Sequence, residues 1–393
     1  MKALQIYDPR ERTLVRTADA LLAAGSILAR PFHGRRHRPA PKRILLLRLE
    51  RIGDLLMALA GIAAVRRFAP AATIDLVVGS WNEALARAIP SVDHIETLDA
   101  RWLARDGTGL DLAAMMRRAA AWRRREYDIG INFEPDIRSN ILLAAARPSW
   151  TAGYASAGGG PLLDLALDYD AGSHTSDNAR RLTAAVFESQ LAEATGPLLA
   201  VSEEHRQRAR SIVGTVRHPL VAMHVSGGRP VKQWDPQRFG DVARKLAATR
   251  GATILLTGSE GDRALVARVK AVLPESAVID VANGVDLLTL AALLDQSDLL
   301  VTGDTGPMHL AHAVGTPVVA VFGPSDPVRY APRGPFDRVV RIDLPCAPCN
   351  RIRLPPARCQ GKIPDCLALV SADSVFDAAA AVLDQCWSAT PAR

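Results

Sequence analysis

The sequence predicts an α/β fold made of two domains, each with a parallel β-sheet covered by helices. With 393 residues the chain is longer than one ordinary hydrophobic core requires, which favours two domains of similar size. Hydrophobic residues make up 48% of the chain and aromatic residues only 5%, a balance typical of helices packed on parallel sheets. Short apolar runs also alternate with segments of helical periodicity, as in repeated strand–helix–strand units.

The first alternating series predicts an N-terminal domain over residues 42–200. Its predicted strands lie at residues 43–49, 73–78 and 127–133. A helical pattern follows Gly53 and Asp54, and the short connections are typical of right-handed βαβ units. Residues 152–177 are rich in Gly, Ser and Asp, which predicts an irregular, exposed stretch, and a further helix is expected at residues 178–194.

A second series predicts another domain with a parallel sheet over residues 201–370. Its predicted strands lie at residues 220–225, 253–257, 299–302 and 318–322. An Ala-rich helical pattern follows from residue 371 to about residue 385. We expect this last segment, residues 371–393, to pack back on the first domain.

Residues 1–41 precede the first domain and predict an amphipathic helix followed by a basic arm. Asp8 and Pro9 form a helix start, and apolar residues then recur at helical spacing at Leu14, Ala18, Leu21 and Leu28. The stretch from Arg30 to Arg43, which begins in this arm and ends just after it, contains no acidic residue and includes Arg30, Arg35, Arg36, Arg38, Lys42 and Arg43. The helix fits docking on the protein's own surface or on a membrane. The basic stretch fits contact with anionic lipid head groups or nucleic acid, or a solvated linker.

Composition and charge limit the location and the partners. The sequence contains no apolar run long enough to cross a bilayer and no signal core with a cleavage site, so a cytoplasmic protein is expected. The basic arm extends this expectation to a peripheral position on the inner face of the inner membrane. The net charge of +7 is moderate, and nucleic acid is not expected as a partner.

Two loops that follow predicted strands carry candidate functional residues. Asp54 follows the first strand and begins a helix, where it fits either a general base or a carboxylate that caps free amides. Ser226 and Lys232 lie in a glycine-bearing loop after the strand at residues 220–225. Loop amides, a hydroxyl and an ammonium can surround a diphosphate, whereas the alternative for Lys232 is a solvated side chain beside an ordinary turn.

Two further loops in the second series follow the same pattern. Glu260 ends a strand and opens a helix, so it fits either a ribose contact or a helix cap. The segment from Asp304 to His309 follows the strand at residues 299–302 and contains Thr305 and Gly306. Its amides predict an anion site at a helix start, and Asp304 can accept hydrogen bonds from sugar hydroxyls. His309 fits either a phosphate contact or a buried, satisfied side chain.

Taken in order, these residues resemble glycosyltransferase family 9, whose members include the heptosyltransferases of lipopolysaccharide inner-core assembly. The resemblance spans about residues 43–383 and rests on Arg48-Leu-Glu-Arg-Ile-Gly-Asp54, Lys232-Gln-Trp234, Gly303-Asp-Thr-Gly-Pro-Met-His309 and the run from Gly315 to Pro324. It implies a GT-B fold, with two facing Rossmann-like domains and a central cleft. It also implies an inverting enzyme with no cofactor required for catalysis, an acceptor domain first and a nucleotide-sugar domain second.

The resemblance further implies roles for individual residues. Asp54 would be the base, Lys232 a phosphate ligand and Glu260 a contact of the nucleoside ribose. Asp304, Thr305, Gly306 and His309 would form the donor loop, with Ser226 as a phosphate-contacting hydroxyl. The implied donor is a nucleotide sugar, ADP-heptose above all, and the implied acceptor is a saccharide or glycolipid of the lipopolysaccharide core.

Four cysteines lie close together in the sequence, at Cys346, Cys349, Cys359 and Cys366. The CxxC start with two further thiols fits a closed tetrahedral site for a structural zinc or iron ion. Free reduced cysteines or an adventitious disulfide fit the same spacing.

Two other functions fit the same features. A sugar-nucleotide epimerase would share the two-domain plan and the diphosphate site, and it would act without an acceptor. A non-catalytic nucleotide-sugar binding module would bind the donor and keep its output when Asp54 is replaced.

Overall fold

A computed structural model of the chain describes residues 4–6, 8–29, 38–104, 107–191, 198–216 and 218–389. The chain divides into two units, Met1–Ala200 and Val201–Arg393. Each unit contains a parallel sheet with helices, which confirms the predicted α/β class.

In the first unit, the described strands form a parallel sheet of six in the order β3-β2-β1-β4-β5-β6. They are β1 (Arg43–Arg48), β2 (Thr73–Val78), β3 (His94–Thr97), β4 (Ile129–Asn132), β5 (Trp150–Tyr154) and β6 (Leu165–Leu167). The helices are α1 (Pro9–Ala29), α2 (Ile52–Phe68), α3 (Glu83–Arg87), α4 (Leu112–Ala121), α5 (Ile137–Ala146) and α6 (Thr175–Val186). Because β1 is central and buried on both faces, its sequence is a continuous apolar run rather than an alternating one.

Helices α2 and α6 pack closely, and this contact requires a glycine. A Cβ atom at Gly61 would lie 2.9 Å from the carbonyl carbon and oxygen of Ala179. The close approach also lets the Thr183 hydroxyl donate a hydrogen bond of 3.0 Å to the Gly61 carbonyl oxygen. The packing fixes α2, and with it the loop that joins β1 to α2.

In the second unit, the described strands form another parallel sheet of six, in the order β12-β11-β10-β7-β8-β9. They are β7 (Leu220–His224), β8 (Thr253–Thr257), β9 (Val278–Asp280), β10 (Leu299–Gly303), β11 (Val318–Val321) and β12 (Arg338–Val340). The helices are α7 (Glu203–Val213), α8 (Pro236–Arg250), α9 (Arg263–Lys270), α10 (Leu287–Asp295), α11 (Gly306–Val314), α12 (Pro327–Tyr330), α13 (Asp365–Ala368) and α14 (Ala372–Ala389).

The segment at residues 152–177 differs from the prediction of an irregular, exposed stretch. It contains the end of β5, the whole of β6 and the start of α6, and Ala152 and Tyr154 are buried. The glycine-rich composition was misleading because Gly153 lies within β5, where a Cβ atom would come within 3.1 Å of Asn140 Oδ1. The next helix, α6, also ends earlier than expected, at Val186.

The last helix, α14, contributes its apolar face to the second unit. Its apolar side chains, among them Val375, Ala379, Val382 and Leu383, belong to the hydrophobic core of the second unit. The helix packs on α8 and on β10, β11 and β12, so its apolar face is buried against the second sheet.

Helix α1 docks on the first unit by one face and leaves another face in solvent. Asp8 caps it, with Oδ1 accepting from the Arg10 amide at 2.8 Å, and Val15 is buried. The Asp19 carboxylate accepts a 2.6 Å hydrogen bond from the amide of Gly159. Leu14 and Leu21 are 72% and 70% exposed.

The predicted basic arm falls largely outside the described residues, which resume at Arg38. There the Arg38 guanidinium lies over the Phe187 ring, 5.7 Å from its centroid. Within the described parts of the chain, no helix combines the length and apolar character needed to span a bilayer.

Candidate active site

Both sheets change winding direction beside their first strand. In the first unit, β1 lies between β2 and β4, and in the second, β7 lies between β8 and β10. Loops at such a switch point diverge at the carboxyl ends of the strands, where open α/β sheets bind ligands. Asp54 follows β1, Lys232 follows β7 and Asp304 follows β10, so these predicted residues lie at the switch points of their own sheets.

Asp54 occupies the third position of α2, at the end of the β1 loop. Its Oδ2 atom accepts a hydrogen bond of 3.2 Å from the Arg51 amide, as in a capping box. Its Oδ1 atom lies 3.8 Å from the Arg48 guanidinium, and about a third of the side chain is exposed. The carboxylate therefore caps its helix with one oxygen and faces Arg48 with the other, while part of the side chain remains exposed.

In the second unit, Lys232 and Asp304 form an ion pair. The Lys232 ammonium lies 2.8 Å from Asp304 Oδ2, and both side chains are largely buried. Burial opposes ionisation of Asp304, but the Lys232 ammonium and a hydrogen bond from Ser325 hold its pKa below the ordinary value. The pair places one positive and one negative group at the β7–β10 switch point.

The start of α11 lies directly after this pair. Thr305 is the N-cap residue, yet its hydroxyl makes no capping bond and instead lies 3.1 Å from the Thr302 hydroxyl. The first amides of the helix, including that of Gly306, are thus not satisfied by their own cap. Free amides at a helix start bind anions such as phosphate. His309 is buried in this helix and interacts with Asp304 electrostatically.

The loop that carries Ser226 and Lys232 is held by the side chain of Gln233. Gln233 accepts from the Gly227 amide and donates to the carbonyl oxygen of Val225, each at 2.7 Å. A Cβ atom at Gly227 would lie 2.5 Å from the backbone at Lys232, so only glycine fits there. The loop therefore has a fixed conformation.

Ser226 itself is hydrogen-bonded to Asp262. Although burial opposes ionisation, hydrogen bonds from Ser259 and Ser226 hold the pKa of Asp262 below the ordinary value. The Ser226 oxygen also accepts a 3.2 Å bond from the Gly228 amide. The hydroxyl is part of the loop structure and is buried.

Glu260 lies one strand further along, just after β8. Its side chain is exposed, lies 3.0 Å from the Arg263 guanidinium and accepts a hydrogen bond from Asn283. The geometry places it at the same carboxyl edge of the sheet as Lys232 and Asp304. An exposed carboxylate at this edge remains suited to a ribose.

Sequence reasoning missed three polar residues that the fold brings to these strand ends. Glu134 follows β4 and bonds the β1 loop, Asp262 bonds Ser226, and Ser325 bonds Asp304. Each follows a strand adjacent to β1, β7 or β10, so strand order would have identified them.

The cysteine cluster does not form the predicted metal site. Cys346 is exposed, Cys349 and Cys359 are partly buried and Cys366 is buried. Burial and the neighbouring thiols raise the pKa of Cys366 to about 11. Across the described residues, no three His, Cys, Asp or Glu side chains are grouped so that they could hold a metal ion. A structural zinc or iron ion is therefore not supported.

Comparison with known proteins gives consistent matches. The model of glycosyltransferase family 9 (heptosyltransferase) matches residues 115–356. The chain is 24% identical over 309 residues to the lipopolysaccharide core heptosyltransferase OpsX of Haemophilus influenzae, covering 77% of this chain and 85% of that protein. It is 25% identical over 319 residues to lipopolysaccharide heptosyltransferase 1 of Pseudomonas aeruginosa, covering 78% and 86%.

The fold is similar to that of a solved enzyme. The structure of Escherichia coli ADP-heptose lps heptosyltransferase II superimposes with a TM-score of 0.71 at 19% identity, over 87% of this chain and 99% of that one. At this identity the likeness concerns the fold, which is that of the GT-B heptosyltransferases. Because the family model covers more than half of the chain, the chain belongs to glycosyltransferase family 9 and is a glycosyltransferase.

Proposed function

We propose that the protein transfers a heptose from ADP-heptose to a saccharide of the lipopolysaccharide core, with inversion at the anomeric carbon. The observation that carries the proposal is the Lys232–Asp304 pair beside the uncapped start of α11. An ammonium next to free helix amides suits the charge of a leaving nucleoside diphosphate. The names of the Haemophilus, Pseudomonas and Escherichia proteins support heptose as the sugar.

On the donor side, Lys232 and the amides at Thr305 and Gly306 would stabilise the negative charge that grows on the diphosphate as the sugar leaves. Asp304 would accept hydrogen bonds from the sugar hydroxyls, with His309 and Ser226 supporting the phosphates. Glu260 would accept from the ribose. These groups supply the positive charge that the leaving group needs, so the proposed chemistry calls for no metal ion.

On the acceptor side, Asp54 would act as the general base. Its carboxylate would remove the proton of the acceptor hydroxyl as the hydroxyl oxygen attacks the anomeric carbon and the bond from that carbon to the diphosphate breaks. Removal of a positioned general base costs about 100-fold or more in rate. We therefore expect Asp54→Asn to retain binding of ADP-heptose and to lose transfer by at least that factor.

The test has two arms. A thermal-shift panel of ADP-, UDP- and GDP-linked sugars should single out the ADP-linked donor, since a ligand at about 100 times its Kd stabilises a protein by about 2.7 kcal/mol. Transfer to a lipopolysaccharide-core acceptor is then measured for the unchanged protein and for Asp54→Asn. Undiminished transfer by the variant would rule out the mechanism, and isomerisation of a nucleotide sugar without acceptor would favour the epimerase alternative.

We also propose that the protein contacts the inner face of the membrane through α1 and the basic arm. Exposed Leu14 and Leu21 lie on the side of α1 that is not docked, and Arg10, Arg12 and Arg16 are exposed on the same helix. Apolar side chains flanked by arginines suit the interface of an anionic bilayer. A glycolipid acceptor would present its sugars at such a surface.

Vesicle flotation tests this contact. We expect binding to vesicles with anionic phosphatidylglycerol, weaker binding to phosphatidylcholine alone, and loss of binding when both Leu14 and Leu21 are replaced by Glu. Leu354→Glu is the matched control, because Leu354 is an exposed leucine of the second unit. If the Leu14/Leu21 double variant and Leu354→Glu bind anionic vesicles equally well, α1 is excluded as the membrane contact.

A further inference from the structure

Arg48 is a buried cation that touches the candidate base residue at two points. Its Nε donates a 3.1 Å hydrogen bond to the Asp54 carbonyl oxygen, and Nη2 lies 3.8 Å from the Asp54 carboxylate. Nη1 donates to the Phe133 carbonyl oxygen at 2.7 Å and lies 2.9 Å from the Glu50 carboxylate. Only 4% of the side chain is exposed, so the guanidinium is oriented by these partners and not by water.

Glu134 holds the turn that leads from β1 to Asp54. Its Oε1 atom accepts hydrogen bonds from the amides of Leu49 and Glu50, the latter at 3.0 Å. The residue is 2% exposed, and its own amide donates to Asn132 Oδ1 at 3.0 Å. A carboxylate from the β4 loop thus satisfies two backbone amides of the β1 loop.

The same turn is fixed from the other side. The Glu50 carbonyl oxygen accepts from the Trp81 indole at 2.9 Å and from the Asn82 amide group at 2.8 Å. Together with the two bonds from Glu134, four hydrogen bonds therefore hold the backbone of Leu49 and Glu50 in this loop. Such rigidity is typical of loops that must present a side chain within a fraction of an ångström.

The charges in this cluster also fit a positioning role. Burial opposes the charged form of Arg48, but Glu50 and Asp54 hold its pKa above the ordinary value. Burial raises the pKa of both Glu50 and Glu134. A glutamine at position 134 would therefore keep the hydrogen-bond acceptor at little electrostatic cost.

We propose that Arg48 and Glu134 are positioning residues for Asp54: Glu134 fixes the turn before the base, and Arg48 fixes the base residue through its carbonyl oxygen and its carboxylate. The inference rests on the proposed role of Asp54 as the base. Neither residue needs to touch the acceptor.

The first experiment compares Glu134→Gln with Glu134→Leu. Glutamine keeps an oxygen for the two amides, whereas leucine leaves both amides buried without an acceptor. We expect Glu134→Gln to keep kcat within about 3-fold and Glu134→Leu to lower it by at least about 10-fold, the scale on which small misplacement acts. The KM for ADP-heptose should stay within about 2-fold in both, because the donor residues lie in the other unit.

The second experiment compares Arg48→Lys with Arg66→Lys. Arg66 is a matched control, since its guanidinium also bonds two backbone carbonyls, those of Pro70 and Ala72, and a carboxylate, that of Asp93. A lysine donates from one nitrogen and so cannot span partners that are spread along the guanidinium fork. We expect Arg48→Lys to lose at least about 10-fold in kcat per folded molecule, with the folded fraction taken from thermal unfolding, and Arg66→Lys to keep its activity.

Hydrogen exchange of the peptide that covers residues 49–54 provides a measurement that needs no turnover. Exchange should increase in Glu134→Leu and stay unchanged in Glu134→Gln. Equal exchange in the two variants, or equal kcat in Arg48→Lys and Arg66→Lys, would overturn the inference. If Asp54→Asn itself keeps full transfer, the proposed function fails instead, and the exchange result still decides whether Glu134 fixes the turn.

Discussion

The ammonium of Lys232 lies 2.8 Å from a carboxylate oxygen of Asp304, although the two residues follow different strands, β7 and β10. The pair is largely buried, so each charge depends on the other for its stability. In the proposed enzyme it also stands where the diphosphate must bind. Its two roles, in folding and in donor binding, can be separated by mutation.

Lys232→Met should destabilise the second unit by about 3 kcal/mol, because it leaves the Asp304 carboxylate buried without its cation. Adding Asp304→Asn should restore part of that stability and none of the affinity for ADP. We expect ADP binding to weaken by at least about 10-fold in both variants, since a charged contact to phosphate is lost. Urea unfolding and calorimetric titration measure the two effects. Full ADP affinity in the double variant would exclude Lys232 from the donor site.

Ser325→Ala should weaken binding of ADP-heptose by about 3- to 10-fold, because Asp304, the proposed acceptor for the sugar hydroxyls, loses one hydrogen bond. Ser297→Ala is the control, because Ser297 is another buried serine of this unit and bonds the Leu293 carbonyl oxygen, away from the pair. Calorimetric titration with ADP-heptose compares the affinities of the two variants. Equal affinities of the Ser325→Ala and Ser297→Ala proteins would show that the Ser325 hydrogen bond does not contribute to donor binding.

Gly227→Ala should abolish ADP binding and lower stability, since the new methyl group would lie 2.5 Å from the backbone at Lys232 and Gln233. Gly261→Ala is the control: its methyl group would meet only the Ser259 hydroxyl, at 3.9 Å. Thermal unfolding with and without ADP reports both effects. A Gly227→Ala protein that ADP still stabilises in full would contradict the fixed loop conformation.

Acidification should destabilise the second unit through His224. Burial lowers the pKa of His224 to about 4 from an ordinary value of 6.5, so the unfolded chain binds this proton first as the pH falls. Stability is therefore lost between about pH 6.5 and pH 4, by about 2 kcal/mol at pH 5. Urea unfolding at pH 7 and pH 5 measures the loss. His224→Gln should reduce this loss of unfolding free energy between pH 7 and pH 5. If the variant loses as much stability as the unchanged protein, groups other than His224 cause the loss.

The core strands of both sheets could be predicted from the sequence because they are buried on both faces. The runs at β1, β2, β7, β8, β10 and β11 are nearly continuous in Leu, Ile and Val, and their predicted bounds agree with the structure to within one residue. The edge strands β6, β9 and β12 have only three residues each and are only partly buried, so they lack this signal. The pattern of apolar residues along a sequence reveals strands that are buried, and short edge strands bury too few residues to produce such a pattern.

The candidate site could be predicted only where a local pattern marked it. Glycine turns directly after strands pointed to Asp54, Lys232 and Asp304. Glu134 carried no such signal, because its partners Leu49 and Glu50 are about 85 residues away in sequence and are brought near by the pairing of β1 with β4. Long-range strand order is the information that local patterns do not contain.

In the proposed enzyme, the position of Asp54 within its own helix has a consequence for which hydroxyl reacts. With Oδ2 bonded to the Arg51 amide and Oδ1 3.8 Å from the Arg48 guanidinium, the carboxylate cannot rotate freely. A sugar offers several hydroxyls of similar acidity, so a mobile base would deprotonate more than one of them. A base whose carboxylate is held on both sides, at the first turn of α2, would instead select the hydroxyl that the bound acceptor places beside it, whatever the acidity of the others.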